Sequence, residues 1–190
     1  MNAMTGLPGA PRRATAAIRV SVMQGEVRVS TDPRVELGTV LGSCVAACLF
    51  DPVAEVGGMN HFLLAEPPAS HGGGGAVDVH YGVYLMEMLI NEMLAWGAIK
   101  TRIKAHLYGG ANLRTGMQAI GTANAEFARS FLESERIALM RFDLGGVSAR
   151  RVDFRPALGQ VRCRAVDAQL APQEKPVARP PVASGDVELF

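Results

Sequence analysis

The segment LGSCVAACLFDP, residues 41–52, places a short apolar run between two turn signals. The run at residues 44–50 follows Gly42 and is closed by Asp51-Pro52, which predicts a buried strand. A helix could hold the same letters, since periodicity alone does not separate the two for so short a run. The next apolar run, residues 59–64, predicts a second strand that forms a hairpin with the first.

Further strands are predicted where apolar and polar residues alternate with a period of two. They cover residues 17–23, 26–30, 102–108, 137–142, 151–154 and 160–165, with Gln24-Gly25 as a turn between the first two. Strands outnumber helices, and most are expected to be joined by hairpins. This pattern favours an α+β layered fold with mostly antiparallel strands over a parallel α/β fold.

Two main helices are predicted from the spacing of apolar residues. The clearer one covers residues 80–96 and ends at Gly97, as a helix C-cap does. Its apolar stripe consists of Val83, Leu85, Met86, Leu89, Ile90 and Met93. The second covers residues 124–134 and is expected to bury Phe127 and Phe131, which lie four residues apart.

Composition limits the classes of protein to which the chain can belong. Its 190 residues, 48% hydrophobic and 19% charged, are typical of one compact domain. A net charge of +1 without a long basic run gives no reason to expect a nucleic-acid partner. No run approaches the roughly 18 apolar residues of a membrane span, and no apolar segment typical of a signal peptide follows the first arginines. We therefore expect no membrane insertion and a cytoplasmic location, where three cysteines would be reduced thiols.

The two ends differ in composition from the middle of the chain. Residues 1–15 are rich in Gly, Pro, Ala and Arg without periodicity, and are interpreted as a flexible leader. Residues 167–190 contain four prolines among mixed charges and are interpreted as a Pro-rich flexible tail. A single domain is therefore expected to cover residues 16–166.

Candidate chemistry lies in residues 39–44, TVLGSC, where Cys44 directly follows a Gly42-Ser43 bend. Such a bend can expose the sulfur and turn successive backbone N–H groups towards one point. Acyl transfer needs this arrangement, because a nucleophile must lie beside donors that bind the oxyanion of the tetrahedral intermediate. His61 lies on the next predicted strand, and pairing of the two strands would bring both side chains to the same end of the sheet.

His61 is the candidate base, since a free thiol is little ionised near neutral pH and a neighbouring imidazole can take its proton. Thr39, through its hydroxyl or its backbone carbonyl, is the nearest polar group that could hold the imidazole in one tautomer. The alternative for Cys44 is a buried structural cysteine, because free cysteine is among the most buried residue types. That alternative explains Cys48 and Cys163 better than catalysis does. The alternative for His61 is a half-buried structural histidine.

The remaining histidines carry weaker signals. His71 is interpreted as a loop residue, His80 as the start of a helix and His106 as a residue on the solvent face of its strand. Their spacing does not predict a metal site. The glycine run at residues 72–75 lacks the phosphate-binding patterns and is interpreted as a linker or lid.

Five segments, in order along the chain, resemble the CheD family. They are LGSCVAACLFDP at 41–52, GGMNHFLLAE at 57–66, AHLYGGANL at 105–113, IGTAN at 120–124 and DLGGVSARRVDF at 143–154. Two positions depart from the family pattern, since His106 stands where a lysine is common and Ala149 where a glycine is usual. The resemblance covers residues 17–166, the whole expected domain.

The resemblance implies an α/β/β sandwich and a protein-glutamine glutaminase that needs no cofactor. Such proteins deamidate glutamine side chains of methyl-accepting chemotaxis receptors to glutamate, releasing ammonia, in chemotactic adaptation. Cys44 and His61 match the family's catalytic cysteine and histidine, and Thr39 is the natural match for the threonine of its triad. The expected mechanism forms a cysteine thioester, with oxyanion donors near Gly42 and Ser43. Many members are partnered by a CheC-like phosphatase.

Two other functions compete with receptor deamidation. A non-catalytic regulatory module that binds receptors or a CheC-like phosphatase would have nearly the same sequence, although the intact Cys44 and His61 argue against it. A cysteine amidase acting on a small molecule would need a deep enclosed pocket at Cys44. The same chemistry could also hydrolyse a receptor methyl ester.

Overall fold

A computed structural model describes residues 16–64, 80–113 and 120–167. The described chain contains nine strands and two helices. The strands are β1 (Ile18–Ser21), β2 (Val27–Ser30), β3 (Val35–Leu41), β4 (Val45–Asp51), β5 (Val56–Asn60), β6 (Lys104–Gly109), β7 (Ala138–Leu144), β8 (Ala149–Arg155) and β9 (Gln160–Val166). The helices are α1 (His80–Ala95) and α2 (Ile120–Ser134), and two short 3-10 turns cover Lys100–Arg102 and Pro156–Leu158.

The strands form two sheets. One has four strands in the order β1-β3-β8-β9, and the other has five in the order β2-β5-β4-β6-β7. The pairs β1–β3 and β6–β7 are parallel, and the remaining pairs are antiparallel. β3 and β4 are consecutive in the chain but belong to different sheets, so the short link at residues 42–44 crosses from one layer to the other.

Strand β4 lies at the centre of the larger sheet and shows how the layers pack. Its residues Val45, Ala47 and Leu49 belong to an apolar core shared with α1 and α2. The alternating residues Ala46 and Cys48 belong to a second core, shared with the inner face of the smaller sheet. Because successive side chains of a strand point to opposite faces, the larger sheet is covered by helices on one face and by the second sheet on the other. The predicted α+β fold, layered as an α/β/β sandwich, is confirmed.

Several predicted elements are confirmed with small changes in their bounds. β4 and β5 form the predicted antiparallel hairpin, and β8 and β9 form another. Helix α1 begins at His80 as predicted, and Gly97 follows its end with a φ of 95°. The Gly97 N–H donates to the Leu94 carbonyl, as in a helix C-cap.

Other elements were predicted wrongly. β1 and β2 do flank a turn at Gln24-Gly25, but they are in different sheets and do not pair with each other. β3 was not predicted, because its alternation is interrupted by Gly38 and its partner β8 is distant in sequence. Most strands pair with distant neighbours rather than through hairpins. Helix α2 begins four residues before the predicted position 124.

β5 begins at Val56, before the predicted position 59, so that Gly57 lies inside the strand and not in a turn. A side chain at Gly57 would overlap the carbonyl oxygen of Pro156. The glycine therefore marks the close approach of two backbone segments.

The prediction that His106 faces solvent is wrong. Its side chain is buried and stacks on Phe50, with ring centroids 5.1 Å apart. β6 is covered on both faces, because Ala105 and Leu107 face the helices while the alternating side chains face the smaller sheet. A two-residue period predicts a solvent face only where a sheet has one.

The other two cysteines are only partly as predicted. Cys48 is fully buried between the sheets, whereas Cys163 on β9 is only half-buried. Of the two phenylalanines of α2, Phe131 is buried and Phe127 is half-buried. No helix in the described part of the chain is both long and apolar enough to cross a membrane. The predictions for residues 1–15, 168–190, His71 and the glycine run fall outside the described residues.

Candidate active site

Cys44 and His61 lie on the same face of the larger sheet. The β4–β5 register extends beyond the strands through a bridge between Val45 and Phe62, whose backbones exchange hydrogen bonds of 3.0 and 2.9 Å. In this register His61 is opposite Ala46, so that Cys44 is its diagonal neighbour. Diagonal neighbours are about 7–8 Å apart at Cα, close enough for longer side chains to interact. Strand pairing therefore brings the predicted thiol and imidazole together.

Thr39 approaches the imidazole from the other sheet. It lies on the inner face of β3, between the buried Leu37 and Leu41. Its Oγ1 atom is 2.9 Å from Nδ1 of His61. The hydroxyl, rather than the backbone carbonyl, is thus the group of Thr39 that contacts the imidazole.

A second oxygen helps to define the tautomer of His61. The carbonyl oxygen of Val22 lies 3.3 Å from Nδ1. A carbonyl can only accept a hydrogen bond, and the Thr39 hydroxyl can also accept one. The arrangement therefore favours a proton on Nδ1, which leaves Nε2 as the basic nitrogen of the neutral ring.

Three successive carbonyls fix the backbone of the link at residues 42–44. The Gly42 oxygen accepts a hydrogen bond from the Ala111 N–H at 2.9 Å, and the Cys44 oxygen accepts one from the Gly110 N–H at 2.8 Å. Between them, the Ser43 oxygen accepts a hydrogen bond from Nδ2 of Asn124 at 2.9 Å. In a trans peptide the C=O and N–H bonds point in opposite directions. The N–H groups of Ser43 and Cys44 are consequently directed away from these donors.

Gly109 allows this close approach of β6 to the cysteine. It has a φ of 108°, and a Cβ atom there would overlap the carbonyl oxygen of Cys44. The Gly109-Gly110 pair, which directly follows the predicted strand 102–108 and lies in the AHLYGGANL segment, is therefore part of the support for the 42–44 link.

The bend at residues 42–44 does not expose the sulfur, contrary to the sequence-based expectation. Cys44 is 2% exposed and His61 is 3% exposed. Both side chains lie in the layer between the sheets, and Cys44 is part of the apolar core there.

The other two thiols have raised pKa values. Burial raises the pKa of Cys48 well above the ordinary value, and proximity to Cys163 adds to the shift. Burial, with Asp143 nearby, raises the pKa of Cys163 to about 11. Both thiols are therefore protonated near neutral pH and are poor nucleophiles.

The remaining predicted residues lie elsewhere. His80 is exposed at the start of α1, and His106 is on the larger sheet beside Cys48, with which it pairs in register. Within the described ranges, His, Cys, Asp and Glu side chains form no group of three that could hold a metal ion.

Asn124 was predicted as the first residue of a helix and closes the IGTAN segment at 120–124, but no role was predicted for it. In the structure it contacts both halves of the site. Its Nδ2 atom donates to Ser43, and its Oδ1 atom accepts a 2.8 Å hydrogen bond from the backbone N–H of Leu64. The usable signal was a polar residue on the helix face that also carries Ala128 and Phe131, both buried.

The fold and the site define an α/β/β protein in which a threonine hydroxyl contacts an imidazole between two sheets, with a buried thiol on the same sheet face as the imidazole. Residues 63–165 match the family model described as CheD chemotactic sensory transduction. The chain belongs to the CheD family, since relatives share about half of their residues with it along nearly the whole length.

Three similar proteins carry the name "Probable chemoreceptor glutamine deamidase CheD". The protein of Zymomonas mobilis is 55% identical over 172 residues, covering 90% of this chain and 92% of that one. The protein of Caulobacter vibrioides is 50% identical, with 92% and 94% covered. The protein of Acidiphilium cryptum is 47% identical, with the same coverage. Among solved structures, the hypothetical protein YfiH of Bacillus licheniformis has a TM-score of 0.41 and 14% identity, covering 62% of this chain and 49% of that one.

Proposed function

We propose that this chain deamidates glutamine side chains on the cytoplasmic helices of methyl-accepting chemotaxis receptors, giving glutamate and ammonia. The observation that carries the proposal is the Thr39 hydroxyl 2.9 Å from Nδ1 of His61, beside Cys44 on the same sheet face. The names of the relatives, chemoreceptor glutamine deamidases, supply the substrate.

The first half-reaction forms a thioester. His61, through Nε2, takes the proton of the Cys44 thiol, and the sulfur attacks Cδ of the substrate glutamine. The carbonyl π bond opens to an oxyanion. As that oxygen re-forms its double bond, the C–N bond breaks, and the His61 imidazolium gives its proton to the leaving nitrogen, which departs as ammonia.

The second half-reaction returns the enzyme to its starting state. Water loses a proton to Nε2 of His61 and attacks the thioester carbon. Collapse of this second tetrahedral intermediate breaks the C–S bond, and the glutamate carboxyl group is released while the thiol is re-formed. The net change is one amide and one water converted into one carboxylic acid and one ammonia, so that no cofactor takes part.

The oxyanion donors in this proposal are the backbone N–H groups of Ser43 and Cys44. Their direction is supported by the hydrogen-bonded carbonyls of Gly42 and Ser43, because each carbonyl shares a peptide plane with the N–H of the next residue. Preorganised donors of this kind are typically worth about 10²–10³ in kcat each. Thr39 holds the imidazole, as the third member of a triad does.

A second candidate function, a regulatory module that binds receptors without catalysis, is favoured by the burial of Cys44. A thiol 2% exposed resembles the structural cysteines of protein cores. A CheC-like phosphatase as binding partner fits either function and is part of this proposal. The two functions differ in whether receptor glutamine is converted.

The test is to incubate the purified chain with a receptor cytoplasmic fragment in oxygen-labelled water. We expect ammonia release and one solvent oxygen in each new glutamate, located by peptide mass spectrometry. The Cys44→Ala variant is the matched control and should give neither product. Receptor binding without ammonia from the wild type would favour the regulatory module instead.

A further inference from the structure

Asn124 joins three segments that are far apart in sequence. It lies on α2, is fully buried, and donates from Nδ2 to the Ser43 carbonyl at 2.9 Å. Its Oδ1 accepts from the Leu64 N–H at 2.8 Å. Ser43 precedes Cys44, and Leu64 lies three residues after His61.

Burial of this amide has a physical cost that the two bonds offset. A primary amide without partners is unfavourable in an apolar layer, and the other buried positions of α2 are glycine, alanine, phenylalanine and leucine. An apolar residue of similar size would pack against these neighbours. We therefore attribute the presence of a buried amide at this position to its hydrogen bonds with the Ser43 carbonyl and the Leu64 N–H.

We propose that Asn124 is a positioning residue that orients the Ser43–Cys44 peptide, so that the Cys44 N–H points to the developing oxyanion. This inference rests on the proposed function and deepens it. The peptide is planar, so that holding its oxygen through Nδ2 sets the direction of its N–H. The flanking carbonyls of Gly42 and Cys44 have backbone donors, whereas the Ser43 carbonyl receives its donor from a side chain.

The second hydrogen bond of Asn124, from the Leu64 N–H to Oδ1, connects the same side chain to the segment that follows His61. By holding Leu64, the same side chain fixes the segment that follows His61 relative to the peptide that precedes Cys44. A helix side chain thus sets the spacing between the oxyanion donor and the base. Thiol ionisation depends on the His61 imidazole, which the Thr39 hydroxyl and the Val22 carbonyl contact at Nδ1 independently of Asn124. Loss of the Asn124 bond to Ser43 is therefore separable from loss of thiol activation.

The test compares two reactions of Cys44 in the variants Asn124→Ala and Asn124→Leu. Deamidation passes through an oxyanion, whereas alkylation by iodoacetamide is a displacement at a saturated carbon and does not. We expect kcat for the receptor fragment to fall about 10- to 100-fold, with KM and the alkylation rate changed by less than about twofold. Neither variant introduces a charge or a hydrogen-bonding group, and Asn124→Leu keeps the number of side-chain heavy atoms. A result shared by both variants therefore reflects the lost amide and not a cavity.

The matched control is Asn112→Ala, which removes another asparagine bond to α2, from Nδ2 to Oγ1 of Thr122 at 3.0 Å. It should leave kcat unchanged. All rates are expressed per folded molecule, measured by near-ultraviolet circular dichroism, so that partial unfolding does not obscure the result.

Unchanged kcat per folded molecule in both Asn124 variants would overturn the inference. An equal fall in kcat and in alkylation would also overturn it, since Asn124 would then support the site as a whole. If the wild type releases no ammonia, the proposed function itself fails, which is a different result from an active wild type with active variants.

Discussion

The Thr39 hydroxyl oxygen and Nδ1 of His61 lie 2.9 Å apart, although Thr39 is on β3 of the four-stranded sheet and His61 directly follows β5 of the five-stranded sheet. The contact orients a ring that strand pairing alone would leave free to rotate about its χ angles. Because the contact uses Nδ1, the basic nitrogen Nε2 lies on the other side of the ring. The imidazole of His61 therefore extends from the five-stranded sheet and is oriented by a side chain of the four-stranded sheet.

Thr39→Val should lower kcat about tenfold, because the hydroxyl that orients the ring is lost while the shape is kept. Thr39→Ser retains the hydroxyl and should stay close to the wild type. Steady-state ammonia release from a receptor fragment measures both. A valine variant as active as the serine variant would contradict the role of the hydroxyl.

Cys44→Ala should abolish ammonia release, whereas Cys48→Ala should retain it. Both side chains are buried in the same apolar layer, so each variant should lose about 1 kcal/mol of unfolding free energy. Urea unfolding and activity together separate the two cysteines. Activity in Cys44→Ala would remove the basis of the mechanism.

His61→Ala should slow the alkylation of Cys44 by iodoacetamide and raise the pH at which it becomes fast, because the neighbouring base is gone. In the wild type, Cys44 should react before Cys48 and Cys163, whose raised pKa values keep them protonated at neutral pH. Mass spectrometry of the alkylated peptides over a pH series measures all three. Identical profiles for wild type and variant would exclude His61 as the activating group.

The free energy of unfolding should fall as the pH falls below about 6.5, the ordinary histidine value. Burial, with Arg141 nearby on β7, lowers the pKa of His106, although a hydrogen bond to the Gly159 backbone opposes the shift. The unfolded chain therefore binds a proton at a pH where the folded chain does not, which favours unfolding. Above this window the residue is neutral in both states and contributes nothing to the pH dependence.

His106→Gln removes that titration and should give a flatter curve between pH 8 and the lower limit of the folded state's stability. Equal slopes for wild type and His106→Gln would show that His106 does not cause the acid sensitivity.

Local patterns predicted the parts of the fold that local forces determine. The apolar stripe of α1 and the turn residues around β4 and β5 specify those elements almost by themselves, and the two predicted site residues Cys44 and His61 follow from that hairpin. β3 was missed because its stability comes from pairing with β8, more than a hundred residues away. The burial of Cys44 was missed for the same reason, because it depends on contacts that are distant in sequence. Nothing in residues 39–44 indicates that a second sheet covers them.

The role of Asn124 could not be predicted from the sequence either. A single asparagine in a helix gives no indication of which carbonyl it will serve, because Ser43 is 81 residues away in sequence. His106 failed for a related reason, since an alternating pattern does not state whether the polar face meets water or another layer.

Because the site lies between the sheets, we expect activity to depend on the relative position of the two sheets. Thr39 is supplied by the four-stranded sheet, and Cys44 and His61 by the five-stranded one. A slip of one sheet over the other by a fraction of a residue would separate the hydroxyl from the imidazole while every strand remained paired. Gentle heating or a low concentration of urea should therefore abolish ammonia release before the far-ultraviolet circular dichroism spectrum changes. Cooling or removal of the urea should restore ammonia release.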